Sequence, residues 1–141
     1  MSSKDKLFTT ELQVRGYELD GYGHVNNAVY LNYAEYARWC MIEQATGSQD
    51  YFKKNNCAPV LARVEVDYKA PLYLGDRFTI ETTVLENRRR VVVFQHLMRK
   101  AEKSIAVVRA TIVVVNESGK AISLPRDFVE YFGGTWSGED S

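Results

Sequence analysis

Cysteine, long apolar runs and net charge are all scarce in this chain, and each scarcity excludes a class of protein. Its 141 residues include only Cys40 and Cys57, which cannot form a disulfide framework and do not lie in a metal-binding spacing. Lysine plus arginine number 18 and aspartate plus glutamate number 18, so the chain has no bulk attraction to nucleic acid or anionic membranes. Apolar runs such as 112–115 are far shorter than the roughly 20 residues that a membrane helix needs, and the N-terminus has no signal-peptide core. We therefore expect a cytoplasmic protein with no membrane span and no nucleic-acid partner.

Several common catalytic motifs are also missing. The sequence has no serine nucleophile elbow, no spaced cluster of metal ligands and no glycine loop of the kind that binds phosphate. We therefore predict neither a metal nor a cofactor. The length suits a single domain, predicted to span 1–141 with a core of about 8–132 and flexible ends.

Residue periodicity predicts one long helix and five strands. Helical spacing of apolar residues begins after Asn26 and Asn27, either of which can cap the helix, and Gly47 is well placed to end it. Further apolar residues, among them Tyr36 and Trp39, predict a helix that is buried on most sides. Alternating patterns predict strands at 8–14, 60–69, 77–86, 91–100 and 104–116, and Pro125 is expected to begin a short helical segment at 125–132.

The short links between the later strands imply antiparallel neighbours. The expected fold is therefore α+β, with a curved antiparallel sheet wrapped around a central long helix. In the strand at 60–69, the even-numbered residues from Val60 to Tyr68 are predicted to form the buried face. Such a sheet has edge strands, and pairing them between subunits is a common way to bury them, so we expect a homodimer or homotetramer.

The most informative segment is the loop directly before the long helix. Asp20 precedes Asn27 by seven residues, and Gly21 and Gly23 allow a tight turn between them. Such a turn can direct the Asp20 carboxylate toward the unpaired N–H groups that begin the helix. An acid beside an anion-stabilising helix N-terminus is a plausible hydrolytic site.

This segment also carries a family resemblance. Residues 14–39 read VRGYELDGYGHVNNAVYLNYAEYARW, and this motif and the order of the elements resemble the hot-dog-fold thioesterases of the 4-hydroxybenzoyl-CoA thioesterase group. The likeness covers about 12–132 and is greatest to bacterial long-chain acyl-CoA thioesterases and plant acyl-acyl-carrier-protein thioesterases. It implies a hot-dog fold and hydrolysis of an acyl-CoA or acyl-carrier-protein thioester. It further implies that Asp20 is catalytic and that the Asn27 backbone N–H polarises the thioester carbonyl.

The role of Asp20 is open at this stage. It can act as a general base on water, or it can attack the carbonyl itself to form a mixed anhydride. Two other functions also stay open: a non-catalytic acyl-thioester binding module, and a hot-dog hydratase or dehydratase. The second is disfavoured because the proline that commonly follows Gly-His in the dehydratase pattern is replaced here by Val25.

Other candidates for substrate contact each have a structural alternative. His24 can bind substrate or support the loop, and Asn26 is a preferred helix cap whatever the function. Glu35 either reaches the acyl pocket or pairs with Arg38 or Arg63. A turn of three arginines suits the phosphates of coenzyme A or an acidic carrier protein, but most such turns are simply solvated. The candidate substrate-binding residues are His24, Asn26, Tyr30, Glu35, Val60, Arg88, Arg89 and Arg90.

Two further interpretations concern the sheet. Leu61, Phe78 and Phe94 are candidates, with Val60, for lining an acyl tunnel, although core packing is the alternative for each. His96 lies on an apolar strand face and is interpreted as a hydrogen-bonded sheet histidine outside the site.

Overall fold

A computed structural model describes residues 6–135 as an antiparallel sheet with one long helix packed against it. The five strands lie in the order β1-β3-β4-β5-β2. They are β1 Phe8–Gln13, β2 Ala58–Tyr68, β3 Arg77–Asn87, β4 Val91–Lys100 and β5 Lys103–Val115. The helices are α1 Val29–Thr46, α2 Tyr51–Lys54 and α3 Phe128–Phe132. The predicted α+β architecture is confirmed.

The element boundaries follow the local sequence signals closely. Strand β4 has its predicted bounds, and Gly47 ends α1 in the left-handed conformation, with φ 80° and its N–H donating to the Glu43 carbonyl at 2.8 Å. Helix α2 was not predicted. Helix α3 begins later than expected, because Pro125 belongs to a preceding turn in which its carbonyl accepts from the Phe128 N–H. The ends predicted as flexible lie largely outside residues 6–135.

The sheet covers only one side of α1. The buried residues of this helix are Tyr30, Tyr33, Ala34, Ala37, Met41 and Ile42. In contrast, Tyr36 is 51% exposed and Trp39 is 37% exposed. The prediction of a helix buried on most sides is therefore wrong for the single chain, because one sheet can pack against only one face of a helical cylinder. None of the helices within 6–135 has the length and apolarity required to cross a membrane.

Strand β2 changes its facing partway along. Its pairing with β5 shifts between Leu61 and Arg63, which places an extra residue, Ala62, in the strand. Pro59 and Leu61 consequently face the same side as Val64 and Val66, which are half-buried against the core. The predicted buried face from Val60 to Tyr68 was therefore wrong before the bulge, at Val60, because sequence alternation alone does not reveal a bulge.

The bulge also moves Val60 out of the predicted acyl tunnel. Val60 is 45% exposed, and it lies between Pro59 and Leu61, which both line a cavity under the second half of α1. Neighbouring side chains of a strand point to opposite faces, so Val60 points away from this space. We call this space the inner cavity; its walls come from α1, α2, β2, β4, β5 and α3.

Candidate active site

The loop before α1 is fastened to the connection between β2 and β3. The Val25 N–H donates to the Leu72 carbonyl at 3.0 Å, and His24 forms an isolated antiparallel bridge with Tyr73. A short 3₁₀ turn, Gly16–Glu18, leads into the loop. These backbone bonds fix the loop at the end of the sheet where α1 begins.

Glu18 anchors the loop from inside. Its Oε1 accepts from the Arg15 N–H and from the Tyr33 hydroxyl, both at 2.8 Å, while its carbonyl accepts from the Asn26 N–H at 2.9 Å. Burial and this contact raise the pKa of Tyr33, so its hydroxyl keeps the proton that it donates. Glu18 therefore holds the beginning and the end of the loop together.

Asp20 is held by its own turn. Its Oδ1 accepts from the Tyr22 N–H at 2.8 Å and from the His24 N–H at 3.2 Å, as is typical of an aspartate that closes a tight turn. Gly23, at φ 82°, supplies the left-handed residue of this turn. Among residues 6–135 no group donates to Asp20 Oδ2, and the side chain is exposed. One carboxylate oxygen is thus fixed and the other is open to a reactant.

The Asn27 N–H points out of the start of α1. The Asn26 carbonyl accepts from the Val29 N–H at 2.9 Å, so this carbonyl points along the helix. The peptide is trans, and the Asn27 N–H, which belongs to the same peptide unit, therefore points the opposite way. No acceptor for it lies within the described part of the chain. It is an unpaired donor at the positive end of the helix dipole.

Two side chains hold this donor in place. Asn26 Oδ1 accepts from the Ala28 N–H at 3.0 Å in the turn that precedes α1. The predicted cap by Asn26 or Asn27 is wrong in its position, because the N-cap of α1 is Ala28, which makes no side-chain cap bond. On the other side, the Tyr68 hydroxyl donates to the Asn27 carbonyl at 2.7 Å, and its ring lies edge-on to Tyr30 with centroids 5.3 Å apart. The peptide units on both sides of Asn27 are therefore hydrogen-bonded.

Asp20 and Asn27 line one cavity of about 280 Å³, which we call the mouth cavity. Its other lining residues are His24, Val25, Tyr30, Tyr68, Lys69, Ala70 and Pro71. Burial raises the pKa of Tyr30, which is therefore neutral at physiological pH. A carboxylate oxygen, an unpaired N–H and a lysine thus surround a space open to solvent.

The structure brings some of the predicted substrate-binding residues to this cavity and leaves others away from it. His24 and Tyr30 line it, and the His24 ring lies edge-on to Tyr73 at 5.1 Å between centroids. Asn26 acts on the helix start and is not part of the lining. Glu35 is exposed and lines the inner cavity. Among the described residues it forms no ion pair with Arg38 or with Arg63, which pairs with Glu65 instead. Val60 faces neither cavity.

The arginine turn lies at the far end of the sheet. Strand β3 begins beside the loop at Arg77 and runs 11 residues, which corresponds to about 35 Å, before reaching Arg88. Arg88 forms an ion pair with Glu86, and the Arg89 carbonyl accepts from the Leu124 N–H. Within one chain, Arg88, Arg89 and Arg90 are therefore remote from Asp20.

Sequence reasoning missed Tyr68, Lys69 and Pro71 as neighbours of Asp20. They lie at the end of β2, which finishes at Tyr68, and in the three residues that follow it. That strand end was recognisable in the sequence. Its position opposite the loop depends on sheet order and on the Val25–Leu72 bond, which no local pattern reveals.

His96 is a satisfied, buried histidine, as predicted. Its Nδ1 lies 2.9 Å from Thr82 Oγ1 and its Nε2 lies 3.1 Å from Arg38 Nη1. Burial, helped by the Arg38 charge, lowers the pKa of His96 to about 3. A neutral, enclosed imidazole of this kind is not an acid–base group at neutral pH. Across the described residues, no three His, Cys, Asp or Glu side chains are grouped so as to hold a metal ion.

Known proteins are similar to this chain both in sequence and in fold. Residues 14–132 match the model of the thioesterase-like superfamily. The chain is 32% identical over 124 residues to the long-chain acyl-CoA thioesterase FadM of Escherichia coli, covering 86% of this chain and 93% of that protein. It is 30% identical over 105 residues to the chloroplastic acyl-acyl carrier protein thioesterase ATL3 of Arabidopsis thaliana, covering 74% of this chain and 55% of that relative, about half of its length.

A solved structure agrees with these sequence matches. The crystal structure of YbaW, a probable thioesterase from Escherichia coli, superposes with a TM-score of 0.78 at 28% identity, and the match covers 88% of this chain and 95% of that one. The shared architecture confirms the predicted hot-dog fold, in which an antiparallel sheet packs on a long helix. With a family match over 14–132, a close relative and a common fold, the chain belongs to the thioesterase-like superfamily.

Proposed function

We propose that this protein hydrolyses acyl thioesters of coenzyme A or acyl carrier protein to a carboxylic acid and a thiol. The names of its relatives support this substrate class, and thioester hydrolysis is the activity common to them. In the structure, the proposal is supported by the position of two residues. Asp20, with its open Oδ2, and Asn27, with its unpaired N–H, line the same cavity.

The chemistry of thioester hydrolysis fits these two groups. The carbonyl oxygen gains negative charge as the carbon becomes tetrahedral, and the Asn27 N–H would stabilise it, typically by a few kcal/mol. Asp20 would take a proton from water as the water oxygen bonds to the carbonyl carbon. The C–S bond then breaks, and the thiolate receives that proton. In the alternative route, Asp20 Oδ2 attacks the carbon and the C–S bond breaks, which releases the thiolate and leaves a mixed anhydride. Water then cleaves the anhydride to the free acid and Asp20, and the proton left on Asp20 passes to the thiolate.

The other predicted contacts divide into two roles. His24 and Tyr30 line the mouth cavity and are proposed to contact the thioester end of the substrate. Asn26 is proposed to position the Asn27 donor without touching substrate. Lys69, on the rim of the same cavity, adds a cation that suits a phosphate of the thiol carrier.

We further propose that two copies pair through β2. This edge strand has 11 residues and carries Val60 and Tyr68, which are 45% and 50% exposed. A long, partly apolar edge favours pairing with another strand, and a two-fold axis would make that pairing antiparallel. The arginine turn of one copy would then lie at the same end of the joined sheet as the Asp20 loop of the other. Arg88, Arg89 and Arg90 are accordingly proposed to bind the phosphates or acidic carrier of the neighbouring site.

Sedimentation equilibrium tests the pairing directly. A dimer or a tetramer is expected. The variant Val60→Lys introduces a charge at an exposed position of this edge strand and should shift the protein toward monomer. A wild-type monomer at micromolar concentration would contradict the proposed pairing and the shared role of the arginine turn.

A cytoplasmic location stays a prediction.

A thiol-release assay over a panel of acyl-CoAs and acyl-carrier proteins tests the hydrolysis. The variant Asp20→Asn keeps an Oδ1 acceptor for the two N–H groups of the turn but removes the base and nucleophile, so kcat should fall by about 10²–10⁴-fold with the fold intact. Asp50→Asn is the matched control, because Asp50 is an exposed aspartate outside both cavities and should leave kcat unchanged.

Three outcomes would contradict the proposal. If no thioester in the panel gives Asp20-dependent thiol release, the protein is not a hydrolase of this type. Tight binding of an acyl thioester that stays intact would favour a binding module. Loss of enoyl absorbance without thiol release would favour a hydratase.

A further inference from the structure

The inner cavity is separate from the mouth cavity and has a different character. Its volume is about 90 Å³, roughly that of six waters by the same kind of measure, and it shares no lining residue with the mouth cavity. Its walls are almost entirely apolar, with Ile42, Phe94 and Ile112 among them. The two charged side chains that line it are Arg38 and Glu35.

Arg38 is half-buried, and its partner is a neutral side chain where an acid would be usual. Its Nη1 lies 3.1 Å from His96 Nε2. A guanidinium can only donate, so His96 Nε2 is the acceptor, and the histidine proton lies on Nδ1, directed at Thr82 Oγ1 at 2.9 Å. His96 is wholly buried, and its pKa of about 3 keeps it uncharged at neutral pH. The imidazole therefore orients Arg38 without neutralising it.

No carboxylate compensates this charge at close range. Among the ion pairs formed within residues 6–135, none includes Arg38. Burial lowers the pKa of Arg38, and the Glu35 charge acts against that effect from beyond ion-pair distance. Glu35 is exposed, so water screens its influence on the cavity. Arginine nevertheless keeps its proton in proteins, and a charge that is partly withdrawn from water without an anionic partner is unfavourable.

We propose that the inner cavity binds a small apolar monocarboxylate, with the carboxylate on Arg38 and the hydrocarbon part against the apolar walls. A carboxylate accepts two parallel N–H bonds from a guanidinium, which has five N–H donors and uses one on His96. The volume of about 90 Å³ suits a short hydrocarbon chain. This site is distinct from the one at Asp20, and it does not depend on the proposed hydrolysis.

Hexanoate is a suitable probe, and 1-hexanol is its uncharged counterpart. Trp39 lines the cavity, so its indole resonances in an NMR titration of the full chain report binding there. Hexanoate should give saturable shifts at Trp39 with at least tenfold higher affinity than hexanol. Arg38→Gln retains a donor for His96 but removes the charge, and it should weaken hexanoate binding at least tenfold. Glu35→Gln, the matched control from the same cavity, should bind hexanoate as tightly as wild type or more tightly.

Three results would overturn the inference: equal affinity for hexanoate and hexanol, full hexanoate affinity in Arg38→Gln, or hexanoate shifts confined to the Asp20–Asn27 loop. If Arg38→Gln does not fold, the comparison of the two probes on the wild-type protein decides the question alone. No thioester is present in these titrations, so their outcome is independent of whether the protein proves to be a hydrolase.

Discussion

The two cavities of this protein place their polar groups under opposite physical conditions. In the mouth cavity, Asp20 is exposed and is held by backbone N–H groups of its own turn. Beneath the second half of α1, Arg38 and His96 lie among apolar side chains and are held by each other. The first arrangement leaves reactive groups unpaired and open to water. The second holds a half-buried charge on a wholly buried, neutral imidazole.

The difference between the two cavities shows how exposure to water changes the strength of electrostatic interactions. Interactions between charges are several times stronger in a protein interior than at a surface, and the cost of giving a charge to a buried neutral group is correspondingly larger. The buried histidine shows this effect through its lowered pKa. The mouth cavity depends instead on orientation, since its donor is an N–H fixed by Asn26 and Tyr68. Stability should therefore respond mainly to the inner network, and turnover mainly to the mouth.

The largest expected effect is on acid stability and comes from His96. Its pKa is about 3 in the folded protein, whereas an unfolded histidine titrates near 6.5. Between these pH values the unfolded state binds more protons than the folded state. The stabilising contribution of neutral His96 is therefore fully present above pH 6.5 and is lost as the pH falls toward 3. The free energy of unfolding should decrease by roughly 4 kcal/mol across this window because of His96 alone.

The two histidines of the chain provide a matched comparison for this prediction. Urea unfolding measured at several pH values should show a shallower acid slope for His96→Gln than for wild type. His24→Gln removes the other imidazole, from a half-buried position in the mouth cavity, and is the matched control for the substitution itself. An unchanged slope in His96→Gln would show that the inner network does not govern acid stability.

A smaller effect is expected on turnover when the mouth cavity loses one hydrogen bond. Tyr68→Phe keeps the ring against Tyr30 but removes the hydroxyl that donates to the Asn27 carbonyl. The Asn27 N–H would then be less well oriented, and this donor is proposed to act mainly in the transition state. We expect kcat for thioester hydrolysis to fall about tenfold while KM stays nearly constant.

Tyr73→Phe is the control for loss of a hydroxyl near the same loop. Tyr73 is 48% exposed, close to the 50% of Tyr68, and its hydroxyl has no hydrogen-bond partner within the described residues. Its kcat should match that of wild type. Equal kcat values for Tyr68→Phe and Tyr73→Phe would show that the Tyr68 hydroxyl does not position the Asn27 N–H. A rise in KM alone for Tyr68→Phe would show that this hydroxyl contributes to substrate binding.

The sequence predicted the features that depend on neighbouring residues. The bounds of β4 and the left-handed Gly47 follow from alternation and glycine freedom, which act over a few residues. The family motif added the hot-dog fold and thioester hydrolysis. The catalytic roles of Asp20 and Asn27 are consistent with their shared cavity and stay a prediction.

Predictions that required long-range geometry were less successful. The bulge in β2 turned Val60 away from the core and turned Leu61 toward the inner cavity. The exposure of Tyr36 and Trp39 depends on how much of α1 one sheet can cover. Arg88 lies far from Asp20 because β3 runs away from the loop.

By itself, the sequence determined the loop that carries Asp20, the end of α1 at Gly47 and most of the alternation of the strands, because these depend on local backbone preferences. Only the tertiary structure decided that Tyr68 and Lys69 meet this loop and that Arg38 rests on His96 beneath the helix. Those contacts join residues 41 and 58 positions apart, as in Tyr68 with Asn27 and Arg38 with His96. Strand order, register and burial fix such distances, and no local pattern in the chain encodes them.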